Sequence, residues 1–368
     1  FGIQTYFLSK SIGYLIRIAF FSFDNSILDQ EIFLTFLLGL NIIDWLSLFV
    51  VIFFQVSMFS IGIQFNKKLI NFSAITVYFG MILFFFCVFL SDVKFTSEAF
   101  LDVLNFKNFL DIENLAPLLT VAGTIFAYFS IIILSFGDFS RYVKNENQLK
   151  KGNLSLILNL IIFSFFAVFI VIGADAFLNL KYTDIDRIFT SPNDIVAKFD
   201  NLQITVVVLF FIIVSSLSTN LVANFIPSQY SLINFLPSKL SLKSVSYIIA
   251  IIGFLIAIFW LTILSQIGIL SFIDTFVAFF GPIFGVMIVD YYLIKENDLS
   301  NKDIYSIDKD SVYYFSNGWH FKGIYSIFLG FIFSASTIWN LNLMFLQSYA
   351  WIIGACISAI TYYLLAKK

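Results

Sequence analysis

One histidine and two cysteines stand among 368 residues, and that scarcity removes whole classes of chemistry. A Cys/His metal cluster cannot be assembled from His320, Cys87 and Cys356, nor can a nucleophile–histidine pair inside an apolar run. Both cysteines fall within apolar runs, where they act as small apolar residues and supply no disulfide framework. Charge is scarce too. Asp, Glu, Lys and Arg make up 12% of the chain, against roughly 25% in soluble domains. The net charge of −2 lacks the basic patch that a nucleic-acid partner requires. Paired carboxylates are missing from the apolar runs, so an enzyme is not expected. A channel would want a repeated filter or a ring of charges, and neither is present.

Apolar sequence is what the chain has in excess. Hydrophobic residues make up 60% and mean hydropathy is +0.94, which reads as an all-α integral membrane protein. About ten spans are expected, at Phe1–Phe23, Asn41–Ile63, Ile70–Leu90, Leu115–Phe136, Leu154–Ile172, Ile204–Phe225, Val245–Leu264, Ile267–Ile294, Ile324–Trp339 and Met344–Leu365. Each is close to the ~20 residues that cross a ~30 Å hydrocarbon core. The 50 phenylalanines read as lipid-facing cover rather than a ligand box. If the first span runs inside to outside, fourteen of 21 basic residues fall in inner segments and five (Lys94, Lys107, Lys181, Arg187, Lys198) in outer ones. The positive-inside bias places the C-terminus in the cytoplasm. The whole of 1–368 is expected to form a single transmembrane domain.

The span Ile204–Phe225 carries SSLSTN in its middle. Ser215, Ser218, Thr219 and Val222 follow the i, i+3, i+4, i+7 spacing of one helical face, with Asn224 further on. Hydrocarbon offers such groups no water, so they need a partner or a cavity. A hydroxyl stripe suits a small hard cation. Ser and Thr also glue membrane helices together, and hydroxyl content alone favours that reading. Pro282, between Gly281 and Gly285, marks either a substrate path or a packing kink. Asp138 with Arg141, and Asp290, lie at inner boundaries and are expected to pair locally. Lys10 falls inside its span with no assigned role.

Three stretches carry a resemblance. FGIQT at Phe1–Thr5, SFGDFSRYVKN at Ser135–Asn145 and FFGPIFGVMIVDYYLIK at Phe279–Lys295 resemble the third, sixth and tenth helices of the nucleobase–cation symporter family 1, which carries hydantoin, allantoin, uracil and cytosine. The resemblance implies a LeuT-like inverted-repeat transporter, present here from the third to the twelfth of twelve helices. A chain that begins at Phe1, without Met or lead-in, fits that expectation of an N-terminal truncation lacking the first two helices. Part of the cation site and part of the substrate site would then lie on the first helix. By the same resemblance, Gln4, Phe129 and Asn224 bind the substrate, and Ser218, Thr219 and the Ser215 carbonyl bind sodium. Gln4 offers both donor and acceptor to a flat heterocycle. Phe129 stands where relatives commonly have Trp, and it can stack but lacks the indole donor. The expectation is a sodium-coupled importer of a nucleobase-like ring, with no organic cofactor and no nucleic acid. It is expected to be a monomer in a bacterial inner membrane. Proton coupling and a non-transporting structural subunit are the alternatives.

Overall fold

The computed structural model describes residues 1–24, 26–104, 112–181, 190–198, 201–236, 238–264, 266, 269–300, 303, 306 and 308–367. Lys107, Arg187, Lys302 and Lys368, used above for orientation, lie outside the described residues, as do the first two residues of the expected span Ile267–Ile294.

Every named element is helical. The principal helices are α1 (Gly2–Phe23), α2 (Ile42–Phe59), α3 (Ile63–Ser91), α4 (Val93–Val103), α5 (Ile112–Leu134), α6 (Glu146–Lys181), α7 (Leu202–Thr219), α8 (Ile226–Phe235), α9 (Leu242–Phe259), α10 (Ile269–Val289), α11 (Phe321–Trp339) and α12 (Ala350–Ala366). Nine helical segments among the described residues are long and apolar enough to cross a membrane. The tenth expected span is α1. Its 22 residues reach about 33 Å, but Lys10, Arg17 and its polar residues lower its hydropathy. Helix α6 outruns its apolar core at the start. Asn145 caps it by accepting from the Gln148 amide at 2.9 Å, and Lys150 pairs with Glu146 at 2.8 Å. The last span, Leu341–Ala366, contains the expected Met344–Leu365, and its first part, Leu341–Tyr349, is 3₁₀ before α12 starts at Ala350.

Lipid-scale apolar surface is exposed. Ile75, Phe79, Ile82 and Phe86 on α3, and Leu154, Ile157, Leu158, Ile161, Ile162 and Phe165 on α6, are all open. Contiguous apolar faces of this kind belong in hydrocarbon rather than water. The chain is an integral membrane protein.

The chain divides into two compact units. The first comprises Phe1–Phe106 and Asp138–Ser265. In it α1 runs between α2, α7 and α9, and Leu8, Val51, Leu217, Phe225, Val245 and Ile249 form one core around it. A second core joins α3, α6 and α7 through Phe84, Val88, Ile170, Ala174, Val208 and Leu209. At the start of α1 the backbones nearly touch. A Cβ on Gly2 would sit 2.6 Å from the Gly253 carbonyl of α9, so the crossing requires glycine. That crossing fixes the height and rotation of Gln4, two residues on.

Further along α1, Lys10 and Arg17 lie two turns apart on one face. Both reach Asp44 of α2, at 3.2 and 2.9 Å. Asp44 is 5% exposed and forms a capping box with Asn41. Lys10 therefore has a structural role: it and Arg17 neutralise a buried carboxylate that starts α2.

The second unit comprises Lys107–Gly137 and Gln266–Lys368. Its α10, α11 and α12 pack closely because small residues face one another. A Cβ on Gly285 would lie 2.1 Å from the Ala355 carbonyl, and one on Gly330 would lie 2.7 Å from the Gly354 carbonyl. Pro282 sits inside this packing, with its carbonyl accepting from Ser358 Oγ at 2.9 Å. Pro282 thus lies within a helix–helix contact. Asp290 accepts from the Tyr362 hydroxyl at 2.6 Å, and His320 Nε2 lies 3.3 Å from the same oxygen. Asp138 pairs with Arg141 at 3.1 Å. All three boundary residues are engaged locally.

Two outcomes follow from these pairs. Replacing Asp44 with Asn strands two cations. Because those cations are 27% exposed, the loss should be about 2–3 kcal/mol, below the ~3–5 of a fully buried pair. Thermal unfolding in detergent should show a melting point several degrees lower, partly restored by adding Lys10→Met. Burial holds the His320 imidazole below its ordinary range, against the opposing pull of Asp290. The unfolded chain thus takes up the proton first. Stability should be complete above the ordinary histidine value of about 6.5 and fall below it. His320→Gln should flatten the melting profile between about pH 7 and 5.

Candidate functional site

Helix α7 does not continue as a regular α-helix past Thr219. Asn220–Phe225 forms a π-helical turn, a device that recurs at functional sites. At its entry the Asn220 amide reaches both the Leu217 and Ser216 carbonyls. Asn220 and Asn224, four residues apart, lie on one side. Asn224 Nδ2 donates to Asn220 Oδ1 at 2.9 Å.

Opposite them, α1 presents Gln4 and Thr5. Asn224 Nδ2 donates to Gln4 Oε1 at 2.7 Å, and Gln4 Nε2 donates to the Ser216 carbonyl at 3.4 Å. Two residues expected to share a role, 220 positions apart in sequence, are hydrogen-bonded to each other. Both are half-buried. Behind them Asn220 Nδ2 donates to Thr5 Oγ1 at 3.0 Å, and Thr5 Oγ1 donates to Gln55 Oε1 of α2, also at 3.0 Å. Thr5, Gln55 and Asn220 are each 0% exposed.

The expected cation ligands sit one turn earlier. Ser218 Oγ and Thr219 Oγ1 both donate to the Ser215 carbonyl, each at 3.0 Å. Three neutral oxygens thus converge, each hydroxyl with its lone pairs still available. Such back-bonding is also how hydroxyls satisfy themselves in an ordinary helix. Among the described residues no group of three or more His, Cys, Asp or Glu could hold a metal ion.

A cavity of about 200 Å³ lies between α3, α6 and α7. It touches Ser215 and Ser216 but is otherwise walled mainly by Gly80, Phe84, Ala167, Ile170 and Phe211, and neither Gln4 nor Asn224 lines it. Its apolar walls suit no polar ring. Phe129 is half-buried on α5, in the second unit.

Sequence reading found Gln4, Asn224 and the hydroxyls but not the residues behind them. Thr5 was visible only as part of FGIQT. Gln55 carried a usable signal: a lone amide within the apolar run of α2, where an unpartnered polar group is costly.

Known proteins identify the family. A family described as permease for cytosine/purines, uracil, thiamine, allantoin matches residues 1–355. An allantoin permease of Bacillus subtilis (strain 168) is 25% identical over 256 residues, 69% of this chain and 50% of that protein. The purine-uracil permease NCS1 of Arabidopsis thaliana is 25% identical over 206 residues, 56% of this chain and 33% of that one. The chain spans about half the length of the curated relatives it matches, or less. A solved structure, the inward facing conformation of Mhp1, superposes with a TM-score of 0.63 at 15% identity. It covers 100% of this chain and 73% of that one, so the fold is the expected LeuT-like one. The chain belongs to the family of permeases for cytosine/purines, uracil, thiamine and allantoin.

Proposed function

We propose that the protein to which this chain belongs is a sodium-coupled symporter of a nucleobase-like heterocycle. The observation that carries this is the Gln4–Asn224 contact at 2.7 Å, one helical turn from the converging oxygens of Ser215, Ser218 and Thr219. Two amides from different helices supply the donors and acceptors that a hydantoin, allantoin or uracil edge needs. The names of the relatives, an allantoin and a purine-uracil permease, support the same ligand class.

Sodium fits the donor set in kind. Neutral oxygens suit a hard monovalent ion, and the hydroxyls need only turn their protons away from the Ser215 carbonyl to offer it lone pairs. When bound, the ion supplies a positive charge that the membrane potential drives inward. One charge moving through ~100 mV yields about 2.3 kcal/mol, roughly a 50-fold gradient of ring. The chain's own residues orient the ring and discriminate its edge. Their hold must stay moderate, because the ring has to leave.

Uptake of labelled hydantoin, allantoin, uracil and cytosine by the full-length protein in proteoliposomes tests this. Uptake of one compound is expected with an inward sodium gradient, and Thr219→Ala should lower it by about tenfold or more, by loss of one ligand of the ion. Uptake driven by a proton gradient without sodium would move the coupling to protons. No uptake of any ring from folded protein would return the hydroxyls to helix packing.

A further inference from the structure

The hydrogen bonds behind the ring-binding pair all point one way. Asn224 Nδ2 donates to Asn220 Oδ1, Asn220 Nδ2 donates to Thr5 Oγ1, and Thr5 Oγ1 donates to Gln55 Oε1. A threonine hydroxyl has a single proton. Because Thr5 gives it to Gln55, it can only accept from Asn220. Asn220 must then turn its oxygen toward Asn224, and Asn224 must answer with an N–H. The second N–H of Asn224 goes to Gln4 Oε1 at 2.7 Å. Both Asn224 donors are consumed, so its Oδ1 is the atom left for a ligand. Gln4 Nε2, which spends one N–H on the Ser216 carbonyl at 3.4 Å, keeps the other to offer.

We infer that Gln55, acting through Thr5 and Asn220, is a positioning residue that sets which way the two ring-facing amides point. It thereby sets the ligand class: a ring edge that carries an N–H donor beside a C=O acceptor, as in a cyclic imide or ureide. A ring edge with two donors or two acceptors is refused. The inference rests on the functional reading that Gln4 and Asn224 meet the ring. Gln55 Nε2 is buried and has no hydrogen-bond partner. An unpaired buried amide donor costs about 1–3 kcal/mol. Turning the Gln55 amide over would satisfy that donor at Thr5, but it would reverse every bond up to Asn224. The row of bonds thus has two possible polarities, and the orientation of the Gln55 amide selects between them. Burial of Gln55, Thr5 and Asn220, each at 0% exposure, denies water the chance to relay a different pattern.

The test uses the full-length protein with Thr5→Val, Thr5→Ser and Gln55→Met variants, hydantoin and its N-methyl derivatives as probes, and ¹⁵N-asparagine labelling. Thr5→Val and Gln55→Met should weaken hydantoin binding about tenfold, the loss of one well-placed charge-neutral contact. They should also narrow the preference for hydantoin over the N-methyl analogue that lacks the donor. Thr5→Ser keeps the hydroxyl and should keep both affinity and preference within about twofold. A merely structural role would lower stability without moving that preference. In the ligand-free protein the Asn220 and Asn224 side-chain amide signals should shift in Thr5→Val and Gln55→Met and stay in place in Thr5→Ser. Unchanged preference and unchanged amide signals in Gln55→Met would overturn the inference. If the unmodified protein binds no ring, the functional reading fails, and the amide signals alone still decide whether Gln55 sets the orientation.

Discussion

Hydrocarbon hydrates nothing, and that single constraint organises the first unit. Any polar group carried to bilayer depth must find its partner within the protein. Helix α1 carries many: Gln4, Thr5, Ser9, Lys10, Ser11 and Arg17. The structure sorts them into two groups that solve the same problem differently. Near one end, charges cancel: Lys10 and Arg17 close on Asp44. Near the other, neutral amides and a hydroxyl pass hydrogen bonds from α7 through α1 to α2. The first group has no spare valence of note and anchors α2. The second ends in half-buried groups able to meet a ligand.

Backbone geometry makes the second arrangement possible. Gly2 and Gly253 let α1 and α9 cross at contact distance, which holds the start of α1 in place. The π turn Asn220–Phe225 then re-aims the asparagines of α7, so that one bonds Thr5 and the other Gln4. Helix irregularity, glycine contact and amide pairing are therefore parts of one device. The glycines of α10, α11 and α12 also bring backbones together, there with Ser334, Ser358 and the Trp339–Thr275 pair as polar links between the helices.

Much of this was legible in the chain before any coordinates. Spans announce themselves through hydropathy, and SSLSTN is conspicuous because polar groups at that depth need a reason. Gln4 and Asn224 came from local motifs. Their direct contact did not, because sequence spacing says nothing about which faces of two distant helices meet. The same blindness hid Asp44 as the partner of Lys10: each charge looks costly alone, and the answer lies on another helix. Gln55 showed itself only as a lone amide in an apolar run, and its link to the ring-facing amides, through Thr5 and Asn220, lies in contacts between distant helices. Element ends were also hard to read. The polar first turns of α6 are helical because Asn145 caps them, a contribution that hydropathy does not register.

The central claim is that Gln4 and Asn224 act as one ring-binding unit. A double-mutant cycle on ring affinity in the full-length protein, with Gln4→Ala, Asn224→Ala and both together, addresses it most directly. Residues that share a hydrogen bond and a ligand couple by about 0.5–3 kcal/mol. The account predicts that either single change removes most of the affinity and that the double change is scarcely worse. Losses that simply add would mean that the two amides meet different partners, and would contradict it.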